Sequence, residues 1–284
     1  MNTFSTIRAL KGNRLNHNIT DIPNCVLWLD AKDPFNNKST TLPSNNTSVT
    51  KWFDKSGLNN HAIASTGVLW FSSSNDGLKM PAFYYNKNST ISTCFTSDPN
   101  QTFPIKNQIT VFSVITMNHT GSTQGARIIG FSTNNTKNDY NDQGCIAFTR
   151  NLGSNGFGPQ RLNMYLSNNP SSSNDSPFLT EMWADNNTLY ATVQQGNSTT
   201  IVSRGVSDTM NINYYSIGCN TNNSSGIDTG SELNALIHEI VVYNTILTDF
   251  NRQRVEGYLS WKWGLQGNLP SSPAHPFYSS APTF

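Results

Sequence analysis

Few residues in this 284-residue chain are placed to do acid–base work, because it holds only four glutamates, Glu181, Glu232, Glu239 and Glu256, no two closer than seven positions. Glycoside hydrolysis needs two carboxyl groups about 5 to 9.5 Å apart, one to protonate the leaving oxygen and one to attack or to activate water. Glu181 and Asp185 are the nearest pair within a strand-like segment. Their even offset puts them on one face, about 13 Å apart at a rise of about 3.3 Å per residue, which disfavours that chemistry. His238-Glu239 begins like the H-E-x-x-H zinc motif, but Val242 stands where the second histidine is needed, and neighbouring residues of a strand face opposite ways. Asp139-Tyr140-Asn141-Asp142-Gln143-Gly144 opens like a calcium loop, yet the twelfth position, where a bidentate glutamate is required, is Arg150. Asp139, Asn141 and Asp142 are therefore expected in an ordinary turn, with no metal or cofactor bound. Tyr84, Tyr85, Tyr190 and Tyr214 could stack on sugar faces, although strand surfaces favour tyrosine for packing reasons as well.

The elements that must position these residues are short strands. The chain contains 39 Asn, 33 Ser and 30 Thr, with only 12% charged residues. Such side chains bond to nearby backbone and favour turns over helix interiors. Fifteen Phe, ten Tyr and six Trp supply a core that a disordered chain would lack. A net charge of +1 gives no field to steer nucleic acid, and no apolar run is long enough to span a bilayer. Met1 to Leu10 has no continuous apolar stretch of the secretory kind, so a cytosolic origin is expected. Cys25, Cys94, Cys145 and Cys219 form no C-x-x-C pair and are expected as buried free thiols.

Residues 109–117 are apolar on both faces, as a mid-sheet strand should be. Further strands are expected at 68–71, 80–85, 126–131, 145–149, 162–166, 178–184, 189–193, 214–218 and 235–243, with a hairpin turn at Gly196-Asn197. One amphipathic helix is expected over 249–263. Thr248 serves as its N-cap, Asp249 sits at the positive end of its dipole and Gly264 stops it. Val255, Tyr258 and Leu259 form its apolar stripe, and Gly257 allows a neighbouring backbone to approach. Residues 265–284, rich in proline, read as a strap over the sandwich. Residues 1–22 read as a basic arm carrying Arg8, Lys11 and Arg14, either a frayed terminus or a tether that orders on a partner.

Three segments carry a family resemblance. Leu27-Trp28-Leu29-Asp30-Ala31 with Val49 to Gly57 and its Trp52-Phe53-Asp54-Lys55-Ser56-Gly57 turn, then Ile237 to Asn244 around Glu239, then Val255 to Leu265 with Trp261, continuing through Asn268-Leu269-Pro270 to His275-Pro276, resemble the opening strand and turn, the last long strand and the closing motif of laminin-G-like, concanavalin-A-like jelly-roll domains of large DNA viruses and phages. The resemblance implies an all-β, two-sheet antiparallel sandwich over residues 23–284, closed by that one short C-terminal helix. It implies a virion setting and a structural role for Trp28, Asp30, Trp52, Asp54, Glu239, Gly257, Trp261 and Trp263. Hydrolases of this fold that resemble laminarinases use an E-x-D-x-x-E strand, which is absent here. Glu239 is expected to pair with Arg252 or Arg254.

Three functions remain open on the sequence. The first is a non-enzymatic virion structural protein, a minor capsid or surface component whose partners are the major capsid protein or neighbouring minor subunits. The second is a lectin-like module binding a cell-surface glycan. The third, a glycoside hydrolase, lacks its carboxylates.

Overall fold

The computed structural model describes residues 18–72, 80–85, 94–98, 101, 103–117, 126–151, 156–166, 176–195, 198–199, 202–221 and 233–284. Arg8, Lys11, Arg14 and the Gly196-Asn197 turn lie outside them. The strands in chain order are β1 (Cys25–Asp30), β2 (Thr47–Trp52), β3 (Ala62–Phe71), β4 (Ala82–Tyr85), β5 (Phe95–Ser97), β6 (Ile105–Lys106), β7 (Gln108–Met117), β8 (Ala126–Ser132) and β9 (Ile146–Asn151). They continue as β10 (Gly156–Arg161), β11 (Met164–Tyr165), β12 (Pro177–Asp185), β13 (Thr188–Gln195), β14 (Ser198–Thr199), β15 (Val202–Gly205), β16 (Asn211–Ile212), β17 (Tyr214–Ile217) and β18 (Ala235–Tyr243), before the single described α-helix, α1 (Asp249–Trp263).

The fold is the expected all-β sandwich. Its layers are regions of one large antiparallel sheet curled on itself, running β11-β10-β9-β8-β17-β5-β3-β4-β18-β7-β12-β13-β14, with β1 on β18, β2 on β3 and β15 on β13. A small second sheet pairs β16 with β6. Across the interior, Phe157 of β10 meets Phe178 of β12 with ring centres 5.2 Å apart. β7 sits mid-sheet between β18 and β12 and is buried along nearly its whole length, as its double-faced apolar sequence requires.

Strand alternation divides these buried residues between two clusters. Leu27, Leu29, Val111, Ile115, Ile240 and Val242 face the sandwich core. Trp28, Phe112, Val114, Val241 and Tyr243 point the other way and pack with Val255, Leu259 and Trp263 of α1. The helix thus covers the outer face of the β1-β18-β7-β12 region. Each large aliphatic side chain it buries contributes about 1.5 to 3 kcal/mol. Thr248 accepts a hydrogen bond from the Asn251 amide, and Gly264 closes the helix in the left-handed region at φ 72°, both as the sequence predicts.

Four expectations need correction. Residues 18–22 belong to the domain rather than to the arm. Asn18 caps a short 3-10 turn, Ile19 and Ile22 are buried in the cluster beneath α1, and the Tyr243 hydroxyl donates to the Ile19 carbonyl at 2.9 Å. The tail drapes over α1 rather than over the sheets. Trp261 Nε1 donates to the Phe277 carbonyl at 2.8 Å, Arg254 donates to the Thr283 carbonyl at 3.1 Å, and Phe284 packs edge-on to Tyr258. Gly257 makes room for a side chain, not a backbone, since a Cβ there would lie 2.7 Å from Phe277 Cβ.

Fourth, Cys94 and Cys219 form a disulfide with Cα atoms 5.8 Å apart, while Cys25 and Cys145 are free and buried. The cause is the pairing of β17 with β5, in which Ile217 opposes Phe95 and so brings the residues just beyond each strand together. Blocking thiols in denaturant without reductant should label Cys25 and Cys145 alone. Labelling of all four would refute the bridge.

Candidate functional site

The chemistry-bearing side chains gather at α1. Asp30 of β1 and Glu239 of β18 are directly opposed across the strand pair, an arrangement of like charges that destabilises a sheet unless a cation intervenes. Lys262, in the last turn of α1, supplies it, with its ammonium 2.7 Å from Asp30 Oδ2 and 2.8 Å from Glu239 Oε1. Trp28 Nε1 donates to Glu239 Oε1 at 2.6 Å, and Trp263 Nε1 donates to Glu239 Oε2. Burial and the charge of Asp30 raise the Glu239 pKa despite Lys262. Burial alone would raise Asp30 too, but Lys262 and then Lys55 hold it below the ordinary carboxylate value. The expected partners Arg252 and Arg254 are not the ones Glu239 uses. A helix of 15 residues runs about 22 Å at 1.5 Å per residue, so its far end returns over β18 while its start lies elsewhere.

That start lies over β12. Arg252 Nη1 is 2.9 Å from Glu181 Oε1 and also contacts Glu256, and its guanidinium sits 5.3 Å from the Trp183 ring centre. His275 of the tail completes the group. Its Nδ1 accepts from the Phe277 amide at 3.2 Å, so Nε2 carries the proton and donates to Glu256 Oε2 at 2.9 Å. Burial, then the charge of Glu256, push Glu181 well above the usual carboxylate range. Burial opposes ionisation of Glu256 as well, but the His275 hydrogen bond and Arg252 hold it below its ordinary value. These two carboxyl groups share one arginine and are each about 1% exposed, so neither faces solvent.

Asp185 is not a partner of Glu181. It accepts from the Asn187 and Thr188 amides, both at 2.7 Å, capping the turn after β12.

A pH dependence follows from Glu181. Its folded pKa lies above its unfolded one, so its contribution to stability is complete below about pH 4.3, the ordinary glutamate value, and is lost as pH rises through the folded value. Glu181→Gln removes that titration. Thermal melts in a pH series should therefore show the variant gaining on the wild type as pH rises, whereas a constant difference would contradict the assignment.

The other sequence candidates separate cleanly. Asp139 is fully buried and bonded by Arg127, whose Nε lies 3.1 Å from both of its oxygens. Asp142 accepts from the Asn138 amide at 2.9 Å, and the segment is a turn. His238 donates from Nδ1 to the Pro81 carbonyl at 2.9 Å and accepts at Nε2 from Thr116, and burial pushes its pKa down to about 4. Among the tyrosines, Tyr85 and Tyr214 are buried and cannot offer a face to a sugar, which corrects their place among the candidates. Tyr84 and Tyr190 are half-buried, packed on Phe71 and stacked on Trp183.

Two further motif residues, Trp52 and Asp54, are buried. Trp52 is buried with its ring 4.4 Å from Phe83. Asp54 accepts from the Trp28, Ser56 and Asn60 amides, each at 2.9 Å, and so locks its turn onto β1.

Sequence reasoning missed a polar cleft of about 470 Å³ beside Trp28 and Lys262, lined also by Asn18, Lys32, Asp33 and Lys38 among others. Its lysines come from three separate segments, so no local pattern marks it. Among the described residues, no group of three or more metal-ligating side chains converges.

No family model and no curated protein sequence matches the chain. Among solved structures, a GH54 α-L-arabinofuranosidase variant soaked with 4-nitrophenyl α-L-arabinofuranoside is similar over 92% of this chain and 65% of its own, just under two thirds, with a TM-score of 0.51 and 13% identity. Domain 4 of an extracellular GH43 arabinanase from Geobacillus stearothermophilus, in complex with arabinotriose, gives a TM-score of 0.49 at 11% identity, covering 80% of this chain and 96% of that one. Trypanosoma rangeli sialidase gives 0.42 at 11% identity, with 80% of this chain and 32% of that one covered. At these identities the likeness is one of fold.

Proposed function

We propose that this chain is a non-enzymatic structural protein of a virus particle, a minor capsid or surface component made in the host cytoplasm. It works through contacts with the major capsid protein or neighbouring minor subunits. One observation supports it most: Glu181, Glu239 and Glu256 are buried and spent on holding α1 and the tail against the sandwich, and two of them, Glu239 and Glu256, lie in segments that resemble the viral jelly-roll motif. Carboxyl groups used in this way fix a rigid module whose exposed surface is left for partners. The arm bearing Arg8, Lys11 and Arg14 is the tether in this reading. Mass spectrometry of purified particles against infected-cell lysate should find the protein enriched in particles. A chain lacking residues 1–17 should remain folded and fail to enter them. Recovery from the lysate alone, or normal incorporation without the arm, would overturn the proposal.

A lectin-like glycan-binding module is the second reading, and the half-exposed Tyr190 stacked on Trp183, with ring centres 5.4 Å apart, favours it. Specific retention on a glycan array that is lost in Tyr190→Ala would shift the assignment to that class.

A further inference from the structure

The cleft beside Trp28 has an uneven supply of hydrogen-bonding groups. Its carboxylate oxygens are already taken. Asp30 accepts from the Lys32 amide at 2.9 Å, Lys55 at 3.1 Å and Lys262 at 2.7 Å. Asp33 accepts from the Asn37, Ser39 and Lys38 amides and from Lys55 at 2.8 Å. An ammonium has three N–H groups and no acceptor. Lys32 uses one, on the Lys262 carbonyl at 2.7 Å. Lys55 uses two, and the exposed Lys38 ammonium has no partner among the described residues. What the cleft has left to offer is therefore mainly donors and positive charge.

The rim is built rather than loose. Asn36, Lys38 and Ser39 all hold left-handed backbone, at φ 50°, 61° and 58°, with Asp33 bonding the amides of the last two. Non-glycine residues adopt that region at some cost, and the surrounding structure must hold them there. Burial and the like charge of Lys262 disfavour the Lys32 ammonium, and an anion placed beside it would offset that charge.

We propose that this cleft binds the oxyanion of a small molecule, a sulfate, phosphate or carboxylate group, with Lys32, Lys38 and the spare N–H of Lys55 as its donors. A volume of about 470 Å³ leaves room for a body larger than the ion, so a sugar carrying an acid group fits the chemistry. The site does not depend on the structural role proposed above.

Titration calorimetry on the full chain, with sodium sulfate, sodium glucuronate and glucose as probes and chloride used to keep ionic strength constant, tests it. Sulfate and glucuronate should bind saturably and glucose should not. Tighter binding of glucuronate would identify an acidic sugar as the source of the anion, and equal binding would identify the anion alone. Lys32→Gln should weaken both anions about tenfold, the loss of one charge-assisted hydrogen bond, and the exposed Lys38→Gln should weaken them less. Lys38→Gln decides the matter if Lys32→Gln fails to fold. No saturable anion binding, glucose binding as well as glucuronate, or unchanged affinity in Lys38→Gln would each overturn the site.

Discussion

Trp263→Ala should cost the domain about 3 to 5 kcal/mol, and Trp261→Ala only about 1 kcal/mol. The two tryptophans sit two residues apart on one helix but do different things. Trp263 is 1% exposed, packs its ring 5.2 Å from His238, lies under the Lys32 ammonium at 4.3 Å and donates to Glu239. Truncating it opens a cavity beneath α1 and leaves Glu239 Oε2 with Lys262 as its remaining partner, at 2.7 Å. Trp261 is half-buried and gives up mainly its hydrogen bond to the Phe277 carbonyl, so its loss should loosen the tail around Phe277 and leave the sandwich folded. Urea unfolding measures the first effect, and proteolysis after residue 264 measures the second. Equal costs for the two variants would mean that the helix is not anchored through Trp263.

Arg252→Ala is the second large effect, again about 3 to 5 kcal/mol, because it leaves buried carboxyl groups without their cation. Glu181 and Glu256 both depend on that guanidinium, and His275 depends on Glu256 to keep the tail in place. Adding Glu181→Gln to Arg252→Ala removes one of the stranded acids and should recover part of the loss. Such non-additivity is the signature of groups in contact. A single variant that unfolds at the wild-type urea concentration would show that the cluster is not holding the helix.

Both predictions rest on contacts the sequence reveals only in part. The helix limits are legible because Thr248 and Gly264 act on their own backbone neighbours. β7 is legible because burial on both faces writes an unbroken apolar run. Partner choice is not, since it depends on where the chain returns. Glu239 finds Lys262, 23 positions away in the last turn of α1, rather than the arginines nearer in sequence. The same holds for Cys94 and Cys219, joined 125 positions apart by the register of β5 and β17. Tyr85 and Tyr214 alternate as surface tyrosines do, yet both faces of their strands are covered. Ile19 and Ile22 were too few to signal a buried segment, although together they fill part of the space under the helix.

The non-enzymatic reading proposed above rests on the buried Glu181, Glu239 and Glu256 holding the helix and the tail. Hydrolysis of 4-nitrophenyl α-L-arabinofuranoside by the purified full chain, alongside Glu239→Gln and Glu256→Gln variants confirmed as folded, tests it most directly. The account predicts no turnover above buffer in any of the three, with the variants differing from the wild type only in stability. Turnover by the wild type that disappears in a folded Glu239→Gln or Glu256→Gln variant would contradict it.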